Sequence, residues 1–331
     1  MTLLTDQYGR RIKSMRISVT DKCNFRCRYC MPAEGLPWLP TAEILTFAEI
    51  TRIARVATEL GIEQIRLTGG EPLARRDVPE LVRMLHPLPG LQSLSLTTNG
   101  TRLPQVAASL AAAGLTRINV SLDSLIPHKF FQMTRRDALA SVLAGLTALE
   151  AFPQIHPIKV NAVAMRDFTE DEVLDFAALA RRKPYVIRWI EFMPLDADQL
   201  WRPEDILTGG EILRIIETAY GPLIPITDGD RAATARRYRF PDGVGEVGFI
   251  NPVSEPFCAE CDRIRLTAEG KLRTCLFSQE ETDLRAIVRG DGSDEDLAEA
   301  LRAAVWHKEL KHFIGDTRFR RTQRSMSMIG G

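Results

Sequence analysis

Up to Pro194, short β-rich apolar runs alternate with longer stretches whose apolar residues recur at helical spacing. The runs are Met15 to Val19, Gln64 to Thr68, Ser93 to Thr97, Arg117 to Ser121, Ile158 to Val163 and Val186 to Glu191. Between them Phe47 to Leu60, Leu103 to Ala113, Leu139 to Leu149 and Glu170 to Ala180 read as amphipathic helices, each long enough for a right-handed crossover. Six βα-like units in succession predict an α/β fold with a parallel sheet covered by helices. Six is fewer than the eight of a closed barrel, so the preferred geometry is an incomplete (β/α)6 TIM-type barrel, with an open doubly wound sheet as the alternative. In either case the loops that follow the strands are expected to carry the ligands.

After Pro194 the pattern changes. A Pro- and Gly-punctuated segment from Pro203 to Gly229 leads into two expected hairpins, Arg237 to Ile250 and Arg263 to Leu276, and then a helix from Asp296 to His312. The chain is therefore divided into a partial barrel over residues 1–200 and a smaller C-terminal α+β domain over 201–331. The polar, basic stretch from Gly315 to Gly331 reads as a frayed end. Neither a solenoid repeat nor a low-complexity segment is visible.

Composition narrows the function. With 331 residues, 45% of them hydrophobic, the chain fills a sizeable core. Forty-three basic residues balance forty-three acidic ones, which leaves no global field to hold nucleic acid or an anionic membrane; neither is expected as a partner. Thr2, Thr5, Asp6 and Gln7 give a polar start without a signal-peptide core, and no stretch reaches 18 apolar residues, so a cytoplasmic location is expected. Six cysteines fall in two sets of three, a distribution that favours metal ligation over disulfides in such a chain.

The first set, CNFRCRYC, places Cys23, Cys27 and Cys30 directly after the first predicted strand. Thiolates suit a soft metal, and three of them in a compact loop suit an iron-sulfur cluster. Four ligands close a cubane; three leave one iron open to the amino and carboxylate groups of S-adenosylmethionine, whose sulfonium bond an electron then breaks. A zinc knuckle with a distant fourth ligand, or three unrelated buried cysteines, are the plainer readings. Gly69, Gly70, Glu71 and Pro72 follow the second strand, where glycines permit close backbone approach and Glu71 offers a carboxylate to an ammonium; alone, GGEP is also a tight turn. Thr97 to Gly100 and Ser121 to Asp123 end the third and fourth strands, and Asn161 and the segment 191–194 lie at the fifth and sixth. Singly, each reads as a cap or turn.

The second set, Cys258, Cys261 and Cys275, flanks a hairpin. Zinc closed by His307 or His312 fits the spacing as well as an iron-sulfur cluster does. If Ala268, Glu269 and Gly270 form the turn, Thr267 faces Lys271, Arg265 faces Arg273 and Arg263 faces Cys275. Period-two alternation then puts Arg263, Arg265, Arg273 and Cys275 on one face, where an anion such as a triphosphate would relieve their repulsion. A solvated basic strand face is the alternative. Arg16, Arg66, Lys159 and Arg188 lie in or beside four of the parallel strands and supply further cations.

Taken together, RISVTDKCNFRCRYCMP, IRLTGGEPL, TTNG, VSLDSL, IKVNAV, IRWIEFMP, the FCAECDRIRLTAEGKLRTCLF region and the terminal GG resemble the GTP 3',8-cyclase family of radical S-adenosylmethionine enzymes over nearly the whole chain. The resemblance implies a lyase of molybdenum cofactor biosynthesis that converts GTP to 3',8-cyclo-7,8-dihydro-GTP. It implies two 4Fe-4S clusters, one on Cys23, Cys27 and Cys30 with S-adenosylmethionine and one on Cys258, Cys261 and Cys275 next to the guanine base. It assigns Tyr29, Gly70, Glu71, Thr97, Asn99, Ser121, Asp123, Asn161 and Met193 to the cofactor, and Arg16, Arg66, Lys159, Arg188, Arg263, Arg265 and Arg273 to GTP. Arg263, Arg265 and Arg273, with Gly330 and Gly331 carried into the barrel by the tail, are implied in catalysis. A reducing donor such as flavodoxin or ferredoxin, and cyclic pyranopterin monophosphate synthase downstream, are the implied partners; a homodimer stays open. Gln64 stands where the family often has lysine, which puts one phosphate contact in question. A different dual-cluster enzyme acting on a peptide, and a non-catalytic electron carrier or zinc-stabilised binding module, are the competing readings.

Overall fold

Alternation within the strands decides which way each side chain faces. In β1 (Ser14–Ser18), Met15 and Ile17 are fully buried while Ser14 and Arg16 keep some exposure. The same period of two runs through β2 (Gln64–Thr68), β3 (Ser93–Thr98), β4 (Arg117–Ser121), β5 (Ile158–Ala164) and β6 (Tyr185–Glu191). Ile65, Leu67, Leu94, Leu96, Ile118, Val120, Val160 and Ile187 belong to one hydrophobic core. Their alternate neighbours, Arg66, Ser95, Asn119, Lys159, Asn161 and Arg188, occupy the other face.

The chain is a computed structural model that describes residues 3–227, 229 and 232–330. The remaining strands are β7 (Ile224–Ile226), β8 (Arg236–Arg239), β9 (Glu246–Ile250), β10 (Arg263–Leu266), β11 (Lys271–Arg273) and β12 (Thr282–Asp283). The helices are α1 (Phe47–Glu59), α2 (Val78–Leu85), α3 (Leu103–Ala112), α4 (Pro127–Thr134), α5 (Leu139–Leu149), α6 (Val173–Arg182), α7 (Gly209–Tyr220), α8 (Leu284–Arg289), α9 (Asp294–Trp306) and α10 (Met326–Ile329). Among them none is long and apolar enough to cross a membrane.

All twelve strands form one sheet in the order β12-β11-β10-β1-β2-β3-β4-β5-β6-β9-β8-β7. The eight strands from β10 to β9 run parallel, and an antiparallel pairing flanks them on each side. The sheet and the core thus cross the division drawn after residue 200, with β9 and β10 extending the two edges of the six-unit array. The sheet is strongly curved. Arg16 on β1, Arg188 on β6 and Arg263 on β10 line one cavity, although β10 and β6 stand roughly 29 Å apart in a flat sheet at about 4.8 Å per strand. A closed eight-stranded barrel fills its inside with branched apolar side chains. Here the inside is polar and charged, so the core lies between sheet and helices and the lumen is left for a ligand.

Three local expectations are corrected. The helix expected over Asp296 to His312 starts at Asp294, capped by Ser293, and stops at Trp306. Beyond it the Arg10 guanidinium donates to the carbonyls of Glu309 and Leu310. The Pro203 to Gly229 segment contains α7, opened by a Thr208–Glu211 capping box that offsets its two leading glycines. The tail is docked, not frayed. Ile329 packs with Leu195 and Phe277, Arg324 pairs with Glu269 and Glu281, and the Gly330 carbonyl accepts from the Arg265 guanidinium. Gly331 lies outside the described residues.

Candidate active site

The loop after β1 folds back on itself through Cys30 N–H and Met31 N–H, both donating to the Cys27 carbonyl, at 2.9 and 3.0 Å. This turn brings Cys23, Cys27 and Cys30 onto one cavity of about 190 Å³ at the C-terminal ends of the parallel strands. All three are free thiols. Tyr29, Gly70, Glu71, Thr97, Asn99, Ser121, Asp123, Asn161 and Met193 line the same cavity, so every residue assigned to the cofactor from sequence is brought to one place. Burial pushes Cys23 up to about 12 and Cys30 to about 11, and raises Cys27 well above the ordinary thiol range. Thiols that hold their protons this firmly ionise when a metal replaces the proton. The donor set, three soft ligands on a dry-walled cavity, fits a thiolate-held iron-sulfur cluster.

The two glycines after β2 serve the cysteine loop. A Cβ at Gly69 would lie 2.4 Å from the Thr20 carbonyl oxygen, and one at Gly70 would lie 2.4 Å from that of Asp21. Gly70 N–H and Glu71 N–H donate to the carbonyls of Thr20 and Lys22, each at 2.8 Å, locking one loop to the other. The Glu71 carboxylate accepts from Leu73 N–H at 2.9 Å, the Thr98 hydroxyl at 2.7 Å and Asn99 N–H at 2.6 Å, so it ties the second and third loops together at the cavity wall. Burial still raises it to about 6. Asp123 has a similar environment, accepting from the Tyr29 hydroxyl and Val163 N–H at 2.9 Å each, and burial raises it to about 6 as well.

At the N-terminal ends of the strands the lumen opens into a cavity of about 890 Å³ lined by eleven arginines and lysines, of which Arg181, Lys183, Arg237 and Arg263 are ion-paired with Asp242, Glu150, Glu246 and Asp262. Arg16, Arg66, Lys159, Arg188 and Arg263 are all among them. Arg188 donates to Asn161 at 3.0 Å and Asn119 at 2.8 Å, and Arg66 to the Ser95 hydroxyl at 3.3 Å; these neutral acceptors fix direction without cancelling charge. Among the described residues Arg16 and Lys159 have no hydrogen-bonding or ion-pair partner. Burial and mutual repulsion lower Arg66 to about 9 and Lys159 to about 7, and hold Arg16 well below the usual guanidinium range. Such a cluster is an anion site waiting for its counter-charge. The expectation that ligands sit only in the loops after the strands is thus half of the picture, because the cations project from within the strands and at their opposite ends. Gln64 lines this cavity where a lysine would add one more charge.

The second cysteine set flanks the β10–β11 hairpin, with Cys258 and Cys261 before β10 and Cys275 after β11. Arg265 pairs with Arg273 in register and Thr267 N–H donates to the Lys271 carbonyl at 2.9 Å, as the three-residue turn requires; Gly270 takes φ +86° there. The two arginines then diverge in use. Arg265 reaches Gly330, while Arg273, 2% exposed, pairs with Glu281 and donates to the Ser278 carbonyl and the Thr322 hydroxyl. Arg273 therefore helps to secure the tail, and Arg263 is the hairpin cation that lines the cavity. Burial raises Cys275 to about 11 and also raises Cys258; at Cys261 burial is outweighed by Lys308 and Arg263, which bring it down to about 7. Among the described residues no three His, Cys, Asp or Glu side chains converge on a single ion, and His307 and His312 are engaged with the carbonyls of Ala303 and Pro252. Three thiols are a soft donor set of the kind that holds an iron-sulfur cluster.

Sequence reasoning missed Arg117 and Arg237 on the cavity wall, Asn119 beside Arg188, and Ser327, whose backbone and hydroxyl bond to Cys30. The lumen-facing parity of Asn119 with Thr97 and Lys159 was a usable signal. Ser327 had none, since its contact depends on where the tail docks.

Residues 17–180 match the Radical SAM superfamily and residues 185–314 match the Molybdenum Cofactor Synthesis C family. The GTP 3',8-cyclase of Syntrophomonas wolfei is 44% identical over 99% of this chain and 100% of its own length. That of Streptomyces coelicolor is 45% identical over 99% of this chain and 96% of its own. Streptococcus suis SuiB bound to S-adenosylmethionine shares the fold at a TM-score of 0.58 and 13% identity, covering 82% of this chain, which spans 62% of that protein. SuiB bound to its precursor peptide SuiA aligns at 0.59 and 13% identity, over 90% of this chain and 68% of that one. Full-length identity at this level has one meaning: the protein belongs to the GTP 3',8-cyclase family of radical S-adenosylmethionine enzymes.

Proposed function

We propose that this enzyme converts GTP to 3',8-cyclo-7,8-dihydro-GTP, the first step of molybdenum cofactor biosynthesis, inside an incomplete (β/α)6 barrel closed by its C-terminal segment. What supports the proposal is the cationic cavity lined by Arg16, Arg66, Lys159, Arg188 and Arg263 at one end of the parallel strands, with the thiols of Cys23, Cys27 and Cys30 at the other. Cys23, Cys27 and Cys30 would hold a cluster that, with S-adenosylmethionine, would supply radical chemistry for hydrogen abstraction at ribose C3', and Cys258, Cys261 and Cys275 would hold a second cluster for the guanine. Arg16, Arg66, Lys159, Arg188 and Arg263 hold the triphosphate, with Asn119 and Asn161 aiming Arg188. Fixing three phosphates fixes the ribose, and positioning of this kind replaces acid-base chemistry as the protein's main contribution. Arg265 and Gly330 stand at the lumen wall, where the docked tail excludes water from the radical. Electrons come from a donor of the flavodoxin or ferredoxin type, and the product passes to cyclic pyranopterin monophosphate synthase.

The test is an anaerobic reaction of the reconstituted enzyme with S-adenosylmethionine, a reductant and GTP deuterated at C3'. Deuterium should appear in 5'-deoxyadenosine and the cyclised nucleotide should accumulate. Turnover of S-adenosylmethionine with no deuterium transfer would remove GTP as the substrate.

A further inference from the structure

Lys308 follows α9 and is 2% exposed, among the largest fully buried side chains of the protein. Its ammonium donates to the Arg263 carbonyl at 3.0 Å and to the Thr274 carbonyl. These two carbonyls lie two residues after Cys261 and one residue before Cys275, so one side chain bridges the strand ends that present both thiols. Among the described residues no carboxylate pairs with it. The adjacent Glu309 is committed to the hydroxyls of Thr274 and Ser278. Arg10 offers the contrast: it also grips this region, donating to the Cys258 carbonyl at 2.7 Å, yet its charge is answered by Asp6 at 2.5 Å. A buried cation left without an anion is costly unless a ligand supplies one. Lys308 acts on all three thiols of the set, opposing the effect of burial at each.

We propose that Lys308 is the internal counter-charge of the second thiolate-held cluster, a positioning residue that draws the β10 and β11 ends together beneath it and favours its reduced state. This rests on the two-cluster reading above. Reduction adds one negative charge to a centre that three thiolates already make anionic. A fixed ammonium in a water-poor site stabilises that added charge more than water would, while the paired Arg10 contributes little net field.

The experiment uses anaerobically reconstituted holoenzyme, with iron and sulfide analysis and a redox titration followed by electron paramagnetic resonance on wild type, Lys308→Met, Lys308→Gln and Lys308→Arg. We expect Lys308→Met and Lys308→Gln to disfavour reduction of the second cluster at least tenfold, a 59 mV move to lower potential for one electron. Lys308→Arg should stay within threefold of wild type, and the first cluster should be unmoved in all three. Loss of the second cluster from the two neutral variants with retention in Lys308→Arg equally supports the assignment. An unchanged second potential in both neutral variants, or loss of that cluster from all three alike, overturns it and leaves the two-cluster reading intact. Iron sufficient for only one cluster in wild type overturns that reading, and this assignment with it.

Discussion

Lys159 is the cation whose charge the unliganded fold least supports. Burial, together with the guanidiniums of Arg188, Arg66, Arg117 and Arg237, lowers it to about 7. Guanidiniums bind their protons far more tightly, so the lysine is the member of the cluster that yields. Its folded value lies below the unfolded one, so between pH 7 and about 10.4 the unfolded chain binds the extra proton and stability of the free enzyme rises with pH. Below pH 7 both states are protonated and the full cost is present. At about 1.4 kcal/mol per pKa unit that cost is at most about 5 kcal/mol, and water in the open cavity reduces it to about half. A bound triphosphate reverses the field and returns Lys159 towards about 10.4. At pH 8 the side chain then goes from roughly one-tenth protonated to fully protonated, and binding takes up about 0.9 proton. Calorimetry of GTP binding at pH 8, in buffers of different ionisation heat, measures this number directly, because a terminal phosphate with its second pKa near about 6 is already ionised. Lys159→Met should abolish the uptake, weaken GTP by about 10- to 100-fold through loss of a charged contact, and raise the stability of the free enzyme. Uptake near zero in wild type, or unchanged uptake in Lys159→Met, refutes the account of the lumen as an uncompensated cation cluster.

Three further outcomes follow from the same geometry. Gly70→Ala forces a Cβ within 2.4 Å of the Asp21 carbonyl, so iron content should fall to that of the second cluster alone while circular dichroism stays native; full iron loading would contradict the loop-locking role. Glu71→Gln presents an amide N–H₂ to donors that now meet a carboxylate, at a cost of about 1–3 kcal/mol in thermal unfolding. Because burial raises Glu71 to about 6, its contribution to stability falls as pH climbs from 4.5 to 6, and that slope should vanish in the variant. Gly330→Ala places a side chain at φ +85° and 2.8 Å from Thr68 Cγ2, a strain of about 1–2 kcal/mol before the clash is counted. The tail should become protease-sensitive and cyclisation should fall more than tenfold with cluster content unchanged; a protected tail with normal product formation would count against the docked end.

Much of this protein was legible one segment at a time. The strands at Gln64–Thr68 and Arg117–Ser121 and the helix at Leu139–Leu149 coincide with their sequence reading, because hydrophobic period and turn residues act over a few positions. The cysteine spacing and the β10–β11 register were equally local, the latter set by the turn at Ala268 to Gly270. Sequence also held the residues of the cofactor cavity, since most of them lie at or just after the end of a strand.

Other features exist only after the sheet has curved. Arg16, Arg188 and Arg263 are scattered across the chain, and nothing in their local patterns states that they share a cavity. Arg265 and Arg273, predicted as a pair, part company because the docked tail gives one Gly330 and the other Glu281 and Thr322. Lys308 falls inside the helix that the sequence predicts over Asp296 to His312, and nothing local marks it as the lysine that bridges two distant strand ends. Local propensity and spacing are decided by neighbours along the chain and so are written in it. Charge convergence and burial are properties of a curved sheet and its docked end, where Coulomb energy depends on distances that only the folded chain sets.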